Sequence, residues 1–131
     1  MTIEILPVEC TRDNRGERYT APKELWKFVG VVDELHMVTL ETGTIRGNHF
    51  HSHSKEAVIV EADGEWELAW QLTGNASPEC RIIDAGVYMI CFPAGVAHAF
   101  RNTSSRPLRL NCYMDVALDM NQPDVQRCQL L

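Results

Sequence analysis

Apolar residues in this chain come in short runs with a two-residue beat, and each run closes on glycine, proline or a small polar cluster. Trp26 to Val32, Leu35 to Glu41, Gly47 to His51, Ala57 to Glu61, Glu65 to Leu72, Cys80 to Asp84, Val87 to Phe92, Ala97 to Asn102 and Leu108 to Asp115 read as strands. Turn-forming residues at Gly64, Gly74 with Asn75, Gly86, Pro93 to Gly95 and Ser104 to Pro107 divide them. No segment sustains an apolar period of about 3.6 residues, so little helix is expected. The pattern predicts an all-β fold, an antiparallel sandwich or barrel. The tail from Ala117 to Leu131 follows neither period clearly.

The stretch Glu65 to Leu72 alternates most cleanly, with Trp66, Leu68, Trp70 and Leu72 on one face. An aromatic stripe of this kind is by default core. A sheet-mediated contact between two copies of the chain is the alternative.

Bulk properties narrow the class. A chain of 131 residues suits one domain, 1–131, that buries close to two thirds of its unfolded surface. Hydrophobic residues make up 45% and charged residues 23%, a globular composition. The net charge of -6 argues against nucleic acid or an anionic membrane as main partner, because both require a basic surface. A single basic residue in a pocket can still meet a phosphate. Five cysteines without a C-x-x-C spacing fit reduced thiols in a cytoplasmic protein, with Cys91 and Cys112 expected in the core. The start Met1 to Pro7 has no basic region of a signal peptide, and no stretch approaches the ~20 apolar residues of a membrane span.

Two segments concentrate the polar chemistry: Gly43 to Glu56, with His49, His51, His53 and Glu56, and Pro93 to Asn102, with His98. In a strand His49 and His51 point to one side, about 6 to 7 Å apart. Glu56 follows Ser52-His53-Ser54-Lys55, which reads as a hairpin turn returning the carboxylate beside the two imidazoles. His98 comes after the turn Pro93-Ala94-Gly95, and only a closed fold brings it near. Three imidazoles and one carboxylate suit one divalent ion among Zn, Fe, Mn, Ni and Co, and the ligands do not choose among these. His53 continues the two-residue series; it reads as a substitute ligand, an acid/base or a solvated turn residue, the last favoured by its flanking serines and Lys55. Arg46 would face away from His49 and His51 in a regular strand, but Gly47 permits a kink.

These segments resemble the two motifs of the cupin superfamily, G-x5-H-x-H-x3,4-E-x6-G and G-x5-P-x-G-x2-H-x3-N. Gly43, His49, His51 and Glu56 fall on the first, and Pro93, Gly95, His98 and Asn102 on the second. The motifs lie at 43–64 and 86–102, with Gly64 one residue late and Gly86 one residue early. The resemblance implies a double-stranded β-helix, the jelly-roll barrel, with His49, His51, Glu56 and His98 as metal ligands and Asn102 capping a turn.

Asp13-Asn14-Arg15-Gly16, the segment from Gly43 to His51 and the segment from Phe92 to Phe100 are similar in order and spacing to nucleotide-sugar cupins. That group includes dehydrorhamnose 3,5-epimerases, sugar 3,4-ketoisomerases and the C-terminal cupin domain of capsular polysaccharide reductase/epimerases. It implies a nucleotide-sugar ligand, a homodimer, a phosphate contact from Arg46 and an acid at Tyr113; the residues alone also allow a surface salt bridge for Arg46 and an ordinary half-buried strand tyrosine at 113. The related epimerases commonly replace the second histidine and the glutamate and use no metal, whereas this chain keeps both.

Two chemistries stay open at this point. One is proton removal next to the carbonyl of a keto-sugar, as in an epimerase or isomerase. His49 or His51 serves as base if the site is metal-free; with a metal bound, the base is sought in His53 or Tyr113. The other is a metal-dependent oxygenase or a non-catalytic small-molecule-binding cupin.

Overall fold

The computed structural model describes residues 3–72, 76–119, 121 and 123–131, so the predicted turn at Gly74 and Asn75 lies outside the described residues. In chain order the elements are β1 (Ile5–Pro7), β2 (Glu9–Asp13), β3 (Gly16–Thr20), α1 (Lys23–Val29), β4 (Glu34–Leu40), β5 (Ile45–His51) and β6 (Glu56–Ala62). There follow β7 (Trp66–Gln71), β8 (Glu79–Ile83), β9 (Gly86–Phe92), β10 (Ala97–Asn102), β11 (Leu108–Met114) and β12 (Val125–Arg127). Two five-stranded sheets, ordered β1-β9-β6-β11-β4 and β12-β5-β10-β7-β8, face each other, and β2 with β3 forms a separate hairpin. Every strand pair is antiparallel. The fold is the expected all-β cupin sandwich.

Alternation fixes which side chains meet between the sheets. Val58, Val60 and Ala62 of β6, Trp66, Leu68 and Trp70 of β7, Phe92 of β9 and Phe100 of β10 form one core cluster. The aromatic stripe of β7 is therefore core, with Leu72 half-buried against it. Each large apolar side chain fully buried here stabilises the fold by about 1.5–3 kcal/mol. The odd-numbered residues Ala57 and Ile59 point the other way, into a second cluster that α1 covers with Leu25 and Val29.

The helix corrects the strand expected from Trp26 to Val32: Lys23–Val29 is α-helical. Trp26, Phe28 and Val32 mimic a two-residue beat, while the helical stripe of Leu25, Phe28 and Val29 is too short to stand out as a period. Pro22 opens the helix, and Gly30, at φ 76, closes it by donating its amide to Trp26 O. No helix among the described residues is long and apolar enough to cross a membrane.

A second correction concerns the turn from Ser52 to Lys55. β5 and β6 lie in different sheets, so this segment is an arch between the layers rather than a hairpin. Glu56 still faces His51, because both point into the space between the sheets. The ambiguous tail supplies β12, which pairs with β5 through Val125↔His51, Gln126↔Phe50 and Arg127↔His49. All five cysteines are free thiols; Cys112 is buried and Cys91 half-buried.

Candidate metal centre and ligand cavity

The site begins with a bulge in β5. His98 of β10 pairs with His49, but the next residue, Ala99, pairs with Gly47, so Asn48 is the extra residue. Asn48 adopts φ 54 and Gly47 φ 97. A Cβ on residue 47 would lie 2.6 Å from the His98 carbonyl oxygen, so glycine permits the close approach of the two strands. The inserted residue resets the alternation, and Arg46 lines the same cavity as His49 and His51. Asn48 instead holds the tail: its Oδ1 accepts from the amides of Leu130 (2.8 Å) and Leu131 (3.1 Å).

One ring nitrogen from each of His49, His51 and His98 lies within 4.8 Å of the other two, a cluster that can hold a metal ion. Two of these rings are fixed from behind. His51 Nδ1 is 3.2 Å from Asp124 Oδ1, and His98 Nδ1 is 3.1 Å from Val96 O. Carboxylate and carbonyl oxygens only accept, so both Nδ1 atoms carry the hydrogen, and in the neutral rings both Nε2 atoms keep a lone pair. Phe92 stacks on the His98 ring with centroids 4.0 Å apart, holding its plane.

Both Nε2 atoms face Glu56. Its Oε2 is 3.1 Å from His51 Nε2, and its Oε1 is 3.5 Å from His98 Nε2. Despite that short distance, His51 Nε2 has no aligned hydrogen-bond partner. Two lone pairs and a carboxylate converging in a buried space repel one another unless a metal ion, or a proton on His51, sits among them. The donor set thus fits a divalent ion, and the orientation from behind is the usual outer layer of an imidazole metal site.

Burial pushes the pKa of His49 down to about 4, helped by the neighbouring His98 and His51. At His51 burial works in the same direction, but the neighbouring carboxylates of Glu56 and Asp124 outweigh it and raise its value above 6.5. Burial opposes ionisation of Glu56 too, yet His51 and His98 hold its carboxyl well below the usual range. Asp124 is likewise held low: burial is offset by Ser54, His51 and the backbone amides of Ser54 and His53.

The cluster opens into a cavity of about 290 Å³ whose walls include Val38, Phe100 and Leu110, with Arg46 and His36 as further polar residues. Arg46 Nε donates to Thr39 O at 3.1 Å. Cys112 also lines it, and burial raises its thiol far above the ordinary range, so it stays protonated.

Of the residues singled out in the sequence, His49, His51, Glu56, His98 and Arg46 come together here. His53 does not: it is exposed on the arch, and its amide donates to Asp124 Oδ2 at 3.2 Å. Tyr113 does not either. Cys112 lines the cavity, so alternation sends Tyr113 to the other face of β11, where it packs edge-on against Trp26 with centroids 6.1 Å apart. Asn102 is the expected cap, its Nδ2 donating to Leu40 O (2.9 Å) and Arg106 O (2.7 Å). Asp124 was missed, because no apolar period marks the tail and its role depends on a strand pairing across the whole chain.

The two facing sheets, with the bulged histidine strand and imidazole cluster between them, have an RmlC-like cupin fold. More narrowly, the model of the polysaccharide biosynthesis C-terminal domain family matches residues 11–126, and the chain belongs to that family. No curated protein sequence matches the chain. Among solved structures it is similar to dTDP-4-dehydrorhamnose 3,5-epimerase from Bacillus anthracis, with TDP and pyrophosphate bound (TM-score 0.74, 18% identity, 95% of this chain and 77% of that one). It is also similar to a mutant of the 3,4-ketoisomerase QdtA from Thermoanaerobacterium thermosaccharolyticum in complex with TDP-4-keto-6-deoxyglucose (TM-score 0.70, 10% identity, 95% and 86%). A third is the capsular polysaccharide assembling protein CapF from Staphylococcus aureus (TM-score 0.67, 18% identity, 95% of this chain). The chain spans only 35% of that protein's length. Likenesses at these identities establish the fold alone.

Proposed function

We propose that this domain binds one divalent ion through His49, His51, Glu56 and His98 and acts as an isomerase or epimerase on a keto-sugar linked to a nucleoside diphosphate. The observation that carries the metal is the convergence of His49, His51 and His98 on one buried carboxylate, with the Nδ1 atoms of His51 and His98 already held from behind. Family membership and the shared fold of sugar-nucleotide enzymes support the substrate class.

When bound, a divalent ion supplies Lewis-acid polarisation of a carbonyl oxygen. The chain's own residues do the rest. A cavity of about 290 Å³ is at the small end of ligand pockets, suited to a sugar ring with the nucleotide left outside. Its apolar walls exclude water from the ring, and the Arg46 guanidinium offers donors to a diphosphate oxygen.

The test has two parts. Elemental analysis of protein purified without added ions is expected to find close to one divalent ion per chain, lost in a variant with His49 and His98 both changed to alanine. Incubation with TDP-4-keto-6-deoxyglucose in D2O is expected to place solvent deuterium on ring carbon, read by NMR. Iron in the site with consumption of O2, and no exchange into the bound sugar, would instead establish an oxygenase.

A further inference from the structure

The metal-binding reading leaves the reaction without a base, since imidazole nitrogens committed to a cation cannot take a proton. The chain has five histidines. Three form the cluster, and His53 lies exposed on the arch. The remaining one, His36, lines the same cavity from β4, in the sheet opposite β5 and β10.

His36 is held as bases are held. Its Nδ1 is 2.8 Å from Glu34 Oε2, two residues back on the same face of β4. The other carboxylate oxygen, Oε1, accepts the Leu118 amide at 3.1 Å, and Leu118 itself lines the cavity. The neighbouring Ala117 amide is bound in the same way by Asp33 Oδ2 at 2.9 Å. Glu34 is thus fixed at both oxygens, and it fixes the tautomer of His36: Nδ1 carries the hydrogen and Nε2 keeps its lone pair. Both side chains are about a quarter to a third exposed, at 24% for Glu34 and 34% for His36, so the pair is wetted through the cavity and not sealed in the core.

We propose that His36 is the general base of this site and that Glu34 is its positioning residue; the assignment rests on the proposed keto-sugar activity. His36 Nε2 takes the proton from the carbon beside the sugar carbonyl. The C–H bond breaks, and its electron pair delocalises onto the carbonyl oxygen as an enolate. The imidazolium, stabilised by the Glu34 carboxylate, then returns a proton to carbon, so no oxidant or reductant is consumed. The base stands on one wall and the metal cluster on the other, so a sugar ring between them meets both.

The experiment is deuterium exchange into TDP-4-keto-6-deoxyglucose by the metal-loaded full chain, with metal content and sugar binding measured on the same samples. His36→Gln is expected to slow exchange by about 100- to 10,000-fold while metal content and sugar affinity hold. Glu34→Gln is expected to keep measurable exchange but lower its kcat by about 10- to 100-fold with the KM for the sugar unchanged, the split expected of a positioning residue. Undiminished exchange in His36→Gln overturns the base assignment and leaves the proposed function standing. A wild-type chain that holds metal and sugar without exchange overturns the proposed function and the base with it.

Discussion

His51 Nδ1 lies 3.2 Å from Asp124 Oδ1, a contact across 73 residues that sets which nitrogen of His51 faces the imidazole cluster. The other oxygen of the carboxylate, Oδ2, accepts from Ser54 Oγ at 2.6 Å and from the amides of His53 and Ser54, so one side chain holds both the ring and the arch leading to Glu56. Asp124→Ala is expected to weaken metal binding by about 10- to 100-fold, the usual cost of losing such an orienting carboxylate. Chelator competition measures it; an unchanged affinity would remove Asp124 from the site.

Gly47→Ala places a Cβ 2.6 Å from His98 O at a backbone φ of 97, where an L side chain is strained. A loss of more than about 1 kcal/mol in urea unfolding is expected. Metal affinity should fall with it, since the strands carrying His49 and His98 must separate. Full stability in the alanine variant would contradict the close approach.

Metal affinity should depend on pH through His51. Its value is raised above 6.5, and a metal requires the neutral ring, so the ion must displace a proton. Below that raised value apparent affinity is expected to fall by about tenfold per pH unit. The fall steepens toward about 4, where His49 also protonates. A flat affinity from about pH 8 to about pH 5 would show that His51 is no ligand.

The metal-free fold should be acid-sensitive through His49. Its folded value is lowered from 6.5 to about 4, so the unfolded chain takes up a proton that the folded one refuses. The stability this contributes is present above 6.5 and is lost as pH falls toward about 4. His51 works oppositely: with a raised value, its contribution is complete below 6.5 and is lost as pH rises through the folded value. Replacing His49 with glutamine should flatten the acid side of a urea-stability profile, and an unaltered slope would assign the acid sensitivity elsewhere.

Much of the fold was legible because strand alternation is local. The run from Ala97 to Asn102 matches β10 at both ends, and the runs around β4 to β9 and β11 end within two residues of the observed strands. The residues of the cluster were legible for the same reason, as residue types at fixed spacing. Where local pattern was ambiguous the reading failed: the helix from Lys23 to Val29 looked like a strand, and the arch from Ser52 to Lys55 looked like a hairpin. Sequence spacing does not tell which side of a sheet meets the cavity, which left Tyr113 open as an acid; His53, read first as a solvated turn residue, lies exposed on the arch.

The sequence by itself determined the alternating strands, the buried aromatic face of β7 and the identity of the imidazoles and carboxylate that can meet a cation. Each follows from the two-residue period of a single strand and from side-chain chemistry. Tertiary structure alone decided that a bulge at Asn48 turns Arg46 toward the cavity. It also decided that Asp124 orients His51, and that His36, held by Glu34, stands across from the cluster. Those relations depend on which strands pair, in what register, and on which layer they lie, and such long-range geometry leaves no trace in any one segment.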